Sequence, residues 1–381
     1  MSKITNSISN YFRRADKILW IITIIISVYC LLLLASVSRT GSNYFLTQLV
    51  AIILGYIGAV ALTVVNYKSI AKAWIWIGAF CVLFIIYTLI FGITVEGSSG
   101  VNAKAWIMLP GGITFQPSEL VKIGFIITFS KHLSMLKEKG LLKNFFQVAL
   151  LGVHALVPIA LTHLQGDDGA AIIFFFMFIT MTFAAGVQIR YFIGLFIALI
   201  VAIPFAWKYV LADYQKQRLI NQFNPESDPL NMGYQQIQGK ISIGSGGLFG
   251  NGLFRGTRVA YNVVPIQESD FIFSVAGEEL GFLGCVLILV LLLCLLFRAF
   301  YIGMKASDKL GTYMCFGFFG MIASQAVFNL GMCLSLLPVM GVTLPFFSAG
   351  GSSAACLYLG VGLLQNVYMN KDDIELADDE N

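Results

Sequence analysis

The stretch VVPIQESDFIFSVAGEELG, residues 263–281, sets Asp270 directly before an aromatic and aliphatic run and places Glu278 and Glu279 inside it. A carboxylate at the head of such a run can accept the proton of an attacking hydroxyl. Equally, Asp270 or Ser269 can cap a helix beginning there by accepting backbone N–H bonds. The deeper pair lies about 12 Å further along the axis at ~1.5 Å per residue. Neighbouring helical residues point about 100° apart, so at least one of the two faces the bundle interior and needs a hydrogen-bond donor there.

A second group lies in VNAKAWIMLPGGITFQPSELVKIGF, residues 101–125. Pro117 suits the first turn of a helix, where its missing N–H would be unpaired anyway. Glu119 and Lys122, three apart, share one helix face and can pair. They either anchor the helix at a membrane interface or form a polar site on its interior face. Trp106 is either an interfacial aromatic or a wall for a sugar or prenyl chain. A third group, residues 217–256, is rich in glycine but lacks the GK[ST] ending of a phosphate loop. Its glycines permit tight turns and close backbone approach. Arg218, Lys240, Arg255 and the nearby Arg258 are either ordinary solvated charges or cations that neutralise a phosphate-bearing ligand.

These residues need a membrane scaffold. Of 381 residues 58% are hydrophobic and only 12% charged, which excludes an ordinary soluble enzyme and leaves no nucleic-acid-binding character. The expected fold is all-α and polytopic. About ten spans are predicted near 18–37, 46–66, 73–92, 117–136, 145–165, 169–188, 191–210, 271–297, 311–334 and 351–369. The first follows Arg13, Arg14 and Lys17 and has no small-x-small cleavage site, so it reads as a retained helix rather than a signal peptide. Lysines and arginines concentrate in the short loops that share a side with the N-terminus, which puts both termini in the cytoplasm.

The expected organisation is a cytoplasmic segment 1–17, a membrane domain 18–369 and an acidic cytoplasmic tail 370–381. The membrane domain includes extracytoplasmic loops 93–116 and 211–270, the longer one between helices 7 and 8. Chemistry on a membrane-delivered substrate belongs at that outer side. Gly350, Gly351 and Ser352 begin the last span with little bulk and allow close helix approach. Pro338 and Pro345 shape the segment before it. Seven scattered cysteines without CxxC spacing read as core residues, and three histidines form no metal pattern. No cofactor is established; a divalent cation is compatible with a phosphate site.

The ordered motifs resemble the family of cell-shape, division and sporulation membrane proteins that includes RodA, FtsW and SpoVE. QPSELVK at 116–122 resembles the family's PSE-x-x-K signature, and residues 224–252 its extracytoplasmic signature. SDFIFSVAGEELGFLG at 269–284 is similar to the segment around its catalytic aspartate, and residues 328–353 to its C-terminal signature. GM at 331–332 and LPV-x-G at 337–341 lean toward RodA over FtsW.

The resemblance implies a peptidoglycan glycosyltransferase that polymerises lipid II with a class B penicillin-binding protein as partner. It makes Asp270 the catalytic aspartate and gives Glu119, Lys122, Trp106 and Arg218 matches to family residues. Lipids would enter laterally, near Trp106 and the fourth helix. Departures are Ala105 beside Trp106, QGDDGA at 165–170 with Gly166 and Asp168, Ile266 and Ser269 before Asp270, and Ala349 in SAGGSS. The rival readings are a lipid-linked-saccharide flippase and a non-catalytic scaffold of a cell-wall synthesis complex.

Overall fold

The computed structural model describes residues 11, 13–41, 43–96, 102–109, 113–209, 211–223 and 232–371. The acidic tail from 372, most of the N-terminal segment and residues 224–231 of the long loop lie outside the described residues.

Apolar runs with few charges become long helices: α1 (Lys17–Val37), α2 (Tyr44–Val64) and, after the short α3 (Tyr67–Lys72), α4 (Trp74–Phe91). There follow α5 (Pro117–Glu138), α6 (Phe145–Leu164), α7 (Asp168–Ala185) and α8 (Ile189–Tyr209). Three shorter helices, α9 (Asp213–Phe223), α10 (Met232–Ser245) and α11 (Thr257–Ala260), lead to α12 (Ile272–Met304), α13 (Lys309–Cys333) and α14 (Gly351–Met369).

Helix starts follow from side chains that accept the first free amides. Asp16 caps α1 through Leu19 N at 3.1 Å, Asn144 caps α6 through Phe146 N at 2.9 Å, and Asp308 caps α13 through Gly311 N at 2.7 Å. Pro117 occupies the first turn of α5, as its ring geometry favours.

Among the described residues eight helices are long and apolar enough to cross a membrane: α1, α2, α4, α6, α7, α8, α12 and α13. Large apolar side chains cover their outward faces, such as Ile57 and Phe297, which is the build of a polytopic membrane protein. The other two expected spans coincide with α5 and α14. Both are mostly enclosed by neighbouring helices, which lets α5 carry Glu119 and Lys122 and α14 carry Gln365 and Asn366 without facing lipid. Helix α14 packs along α2, where a Cβ on Gly362 would lie 2.6 Å from the Ala59 Cα. At the end where the chain enters, Asp16 takes Arg298 Nε at 2.6 Å, while Gln365 exchanges two 2.8 Å bonds with the Asp16 backbone.

Three expectations change. The fold is not purely helical: residues 93–115 include an antiparallel sheet of order β1 (Ile93–Glu96), β2 (Asn102–Leu109), β3 (Ile113–Phe115). The 211–270 segment, expected as a loop, supplies α9, α10 and α11. The eighth span is broken inside α12: Gly281 has φ 67° and ψ −160°, a conformation essentially reserved for glycine.

That break leaves main-chain groups unpaired within the helix, and the glycine-rich run 246–252 pairs them. Asn251 N and Gly252 N donate to the Glu278 and Glu279 carbonyls at 3.0 and 2.9 Å, and Phe282 N and Leu283 N donate to the Gly247 and Leu248 carbonyls at 2.9 and 3.2 Å. The backbones touch because there are no side chains between them. A Cβ on Gly246 would overlap the Gly277 carbonyl, whereas Gly244 faces open space. Gly246→Ala is therefore expected to destabilise the fold by about 1–3 kcal/mol, the cost of overpacking. Thermal unfolding in detergent should show a lowered midpoint for Gly246→Ala and none for Gly244→Ala; equal midpoints would contradict the backbone contact.

Candidate active site

The half-helix before Gly281 carries Glu278 and Glu279. Asp270 lies in the turn preceding it. The Ile266 carbonyl collects the amides of Ser269, Asp270 and Phe271 at 3.3, 3.2 and 3.4 Å, with Ile266 itself at φ 56°. Positive φ is a strained conformation for a β-branched residue. Helix α12 begins after Phe271, whose own side chain makes no cap. Ser269 Oγ donates to Asp270 Oδ1 at 3.3 Å.

The Asp270 main chain is fixed from α13. Asn329 Nδ2 donates to the Asp270 carbonyl and to the Val342 carbonyl, both at 2.8 Å, and Cys333 Sγ reaches the Asp270 carbonyl at 3.4 Å. Segment 338–350 wraps the other side. Ala349 N donates to the Glu268 carbonyl at 2.8 Å, Ser348 Oγ donates to the Ser269 carbonyl, and a Cβ on Gly341 would stand 3.9 Å from Asp270 Oδ2. Asp270 is 6% exposed, so it sits under this segment rather than on an open surface.

Glu278 and Glu279 find their donors in the long loop. Glu278 Oε1 and Oε2 accept the Arg258 and Val259 amides at 2.8 and 3.1 Å; Glu279 Oε1 accepts Ser36 Oγ at 2.6 Å and Gly256 N at 3.2 Å. The two carboxylates take the free amides at the start of α11 and hold the glycine-rich loop to α1 and α12.

A second polar cluster lies across the 338–352 segment. Lys122 Nζ and Glu119 Oε1 pair at 2.8 Å with both side chains nearly inaccessible, so the interior reading of this pair holds and the interfacial-anchor reading does not. Asp167 caps α7 through Ala170 N at 2.9 Å and accepts Gln116 Nε2 at 2.7 Å and Ser118 Oγ at 3.3 Å. Burial pushes its carboxyl above the usual carboxylate range; the Ala170 amide, the Lys122 charge and Gln116 oppose that rise, and Glu119 adds to it.

The two clusters are joined by contacts along one segment. A Cβ on Gly169 would lie 2.8 Å from the Met340 carbonyl, Gly350 N donates to Gln48 Oε1 at 3.0 Å, and Gln116 N donates to Ser352 Oγ at 3.3 Å. Gly350 and Gly351 leave only ordinary contact for an added Cβ, so they do not mediate the tight helix approach expected there. Trp106 is half-buried on β2, paired with Ile93.

The cations separate. Arg258 donates Nε to Ser242 Oγ at 2.8 Å and a terminal nitrogen to Gln238, which braces α10 against α11. Lys240 and Arg255 are exposed; Arg218 lies on α9 with its side chain outside the described residues. Among the described residues no group of three or more His, Cys, Asp or Glu is arranged to hold a metal ion. Sequence reasoning did not single out Gln48, Gln116, Asn329 or Ser348, and met Asp167 only as part of the QGDDGA departure. The signal available for Gln48 and Asn329 is an isolated amide inside an apolar run.

The chain is 35% identical over 328 residues to a probable peptidoglycan glycosyltransferase FtsW of Geobacter metallireducens, covering 85% of this chain and 84% of that one. It is 31% identical to the peptidoglycan glycosyltransferase MrdB of Escherichia coli K12, covering 93% and 94%, and 33% identical to stage V sporulation protein E of Bacillus subtilis, covering 92% and 96%. A chain from a structure of a peptidoglycan synthase complex that coordinates polymerization and crosslinking superposes with a TM-score of 0.79 at 28% identity, covering 94% of this chain and 98% of that one. The rod shape determining protein RodA of Thermus thermophilus superposes with a TM-score of 0.68 at 26% identity, covering 94% and 97%. The family model described as cell cycle protein, FtsW/RodA/SpoVE, matches residues 13–373, and the chain belongs to that family.

Proposed function

We propose that this chain is a peptidoglycan glycosyltransferase polymerising lipid II into β-1,4-linked glycan at the outer face of the cytoplasmic membrane. The observation that carries the reading is the placement of Asp270, whose main chain Asn329 and Cys333 anchor in the turn that leads into the broken helix. Glu278 and Glu279, further along that helix, bind the amides of 256–259. Relatives named as peptidoglycan glycosyltransferases, at 31–35% identity over most of the chain, support the substrate class.

In the proposed reaction the 4-hydroxyl of the acceptor's N-acetylglucosamine attacks the anomeric carbon of the terminal N-acetylmuramate on the growing chain. The new C–O bond forms as the bond to undecaprenyl pyrophosphate breaks, with inversion in a single displacement. Asp270 takes the hydroxyl proton. Gly341 lies beside the Asp270 carboxylate, so the 338–341 segment borders the acceptor's approach. The exposed Lys240 and Arg255, with Arg218, are the candidates to offset pyrophosphate charge, and a divalent cation could share that work. The Glu119–Lys122 pair and Asp167 form the polar cluster on the other side of the 338–352 segment.

The positive-inside distribution of lysine and arginine favours cytoplasmic termini and an extracytoplasmic Asp270. The partner proposed is a class B penicillin-binding protein that cross-links the product; the structural neighbour from a polymerising and crosslinking complex supports that class.

Two measurements test the reading. With lipid II and a partner synthase, Asp270→Asn is expected to lower polymerisation at least about 100-fold while folding normally, the scale of a lost general base; full activity would remove the assignment, and intact lipid II moved across vesicles with no glycan formed by the wild type would favour a flippase. Lys122→Met leaves Glu119 buried without its partner and should cost about 3–5 kcal/mol of stability. Glu119→Gln with Lys122→Met should recover most of that loss in thermal unfolding, and failure to recover it would show that the pair does more than neutralise itself.

A further inference from the structure

Three consecutive carbonyls at the proposed base are each taken by a different donor. Ala349 N donates to the Glu268 carbonyl at 2.8 Å, Ser348 Oγ donates to the Ser269 carbonyl, and Asn329 Nδ2 donates to the Asp270 carbonyl at 2.8 Å. The first two donors belong to residues 334–350, which form neither helix nor strand. The third comes from helix α13, where Asn329 is 0% exposed.

The same Asn329 nitrogen donates to the Val342 carbonyl at 2.8 Å. Two carbonyls facing one atom fix the amide's orientation, since only its NH2 end can donate to both. Among neutral side chains only the amides of Asn and Gln carry two N–H groups on one nitrogen, so a Ser or Thr here could serve one carbonyl but not both. Val342 follows Gly341, where a Cβ would stand 3.9 Å from Asp270 Oδ2. One buried amide thus holds the base and also the segment that borders the acceptor's approach to it.

Both held pieces need an outside reference. Ile266, before the Asp270 turn, and Phe346, beyond Val342, have φ of 56° and 67°. Non-glycine residues keep that left-handed conformation only where the surroundings impose it. Helix α13 is mostly buried and packs along α7 and α12, which makes it the fixed post for both.

We infer that Asn329 is a positioning residue for glycosyl transfer: its two N–H groups couple the Asp270 turn to Val342 and so set the gap between the base and Gly341. The inference rests on the glycosyltransferase reading for the role of Asp270, whereas the coupling of the two segments rests on the hydrogen bonds alone. The acceptor hydroxyl has to come within hydrogen-bond reach of the carboxylate. A misplacement of about 1 Å can cost on the order of 100-fold in rate. Asn329 is fully buried and meets no substrate, so its loss falls on kcat rather than on KM.

The molecule contains its own control. At the end of the bundle where Asp16 meets Gln365, Asn366 Nδ2 of α14 donates to the Leu62 and Val65 carbonyls, both at 2.6 Å, and Asn366 is likewise 0% exposed. The test compares Asn329→Leu with Asn366→Leu in the full-length protein, with lipid II and the partner synthase. Leucine nearly keeps the volume and removes both donors, so both variants should show a lowered thermal unfolding midpoint. Only Asn329→Leu is expected to lower kcat, at least about ten-fold, with KM for lipid II changed by less than about two-fold. Added to Asp270→Asn, it should remove less than about a further two-fold, because a positioning residue has no effect once the base is gone. Hydrogen exchange in peptides 266–275 and 338–350 should rise together in Asn329→Leu and stay at the wild-type level in Asn366→Leu. Asn329→Ser, which keeps one donor, supplies the readout if Asn329→Leu does not fold. A rate loss matched by Asn366→Leu, a full additional loss on top of Asp270→Asn, a rise in KM without a fall in kcat, or exchange that rises in one peptide alone would overturn the inference. If the wild type forms no glycan, the glycosyltransferase reading fails and hydrogen exchange alone decides whether Asn329 couples the two segments. If glycan forms and the two peptides exchange independently, the positioning inference alone fails.

Discussion

A main-chain group inside an apolar bundle has no water to pair with, and each unpaired one costs several kcal/mol. The break at Gly281 creates four such groups at once, and everything around Asp270 depends on how they are paired. The carbonyls of 278 and 279 and the amides of 282 and 283 are matched by run 247–252 in the manner of a short two-stranded contact. That requires two backbones to meet with almost nothing between them. Glycines at 246, 250, 277 and 281 meet the requirement through their lack of side chains. The half-helix 272–280 is consequently held by the long loop, and the turn with Asp270 is placed by the half-helix.

The charged side chains reinforce the same joint. Glu278 and Glu279 would be expensive alone in such surroundings, but the start of α11 offers amides that would otherwise lack acceptors. Both Glu278 oxygens and Glu279 Oε1 are thereby paired, while Glu279 Oε2 has no hydrogen-bond partner among the described residues. Arg258 extends the joint to α10 through Ser242 and Gln238. On the far side of the 338–352 segment, Glu119 and Lys122 neutralise one another and Asp167 is hydrogen-bonded by Gln116, Ser118 and Ala170. The segment between is fixed by Asn329, Gln48 and Ser348, whose amides and hydroxyl reach backbone groups that no helix or strand pairs.

The distribution of rigidity follows from these bonds. The Asp270 turn and the α5 start are tied by polar contacts to several elements, whereas α8 has no buried residue and α9 is tied at Gln215 and Gln222. A site with one braced half and one loosely packed flank suits a substrate whose head is processed while its tail stays in hydrocarbon.

Much of the fold was legible in the sequence because membrane helices are set by local composition: long apolar runs with few charges form helices wherever they occur. Asp270, Glu119 and Lys122 could be picked out for the same reason, since a charge in an apolar run is conspicuous. Their partners could not. Apart from the Ser36 hydroxyl, the donors to Glu278 and Glu279 are backbone amides of 256–259, and every residue but proline has an amide, so nothing in the residue types announces them. The kink was hidden in an ordinary-looking glycine, and the strands at 93–115 in a stretch short enough to pass for a loop. Which acids occur, and on which runs, was determined by the sequence alone. Whether each is occupied, buried or available was decided by tertiary structure, because the donors that settle it come from segments brought together only when the chain folds.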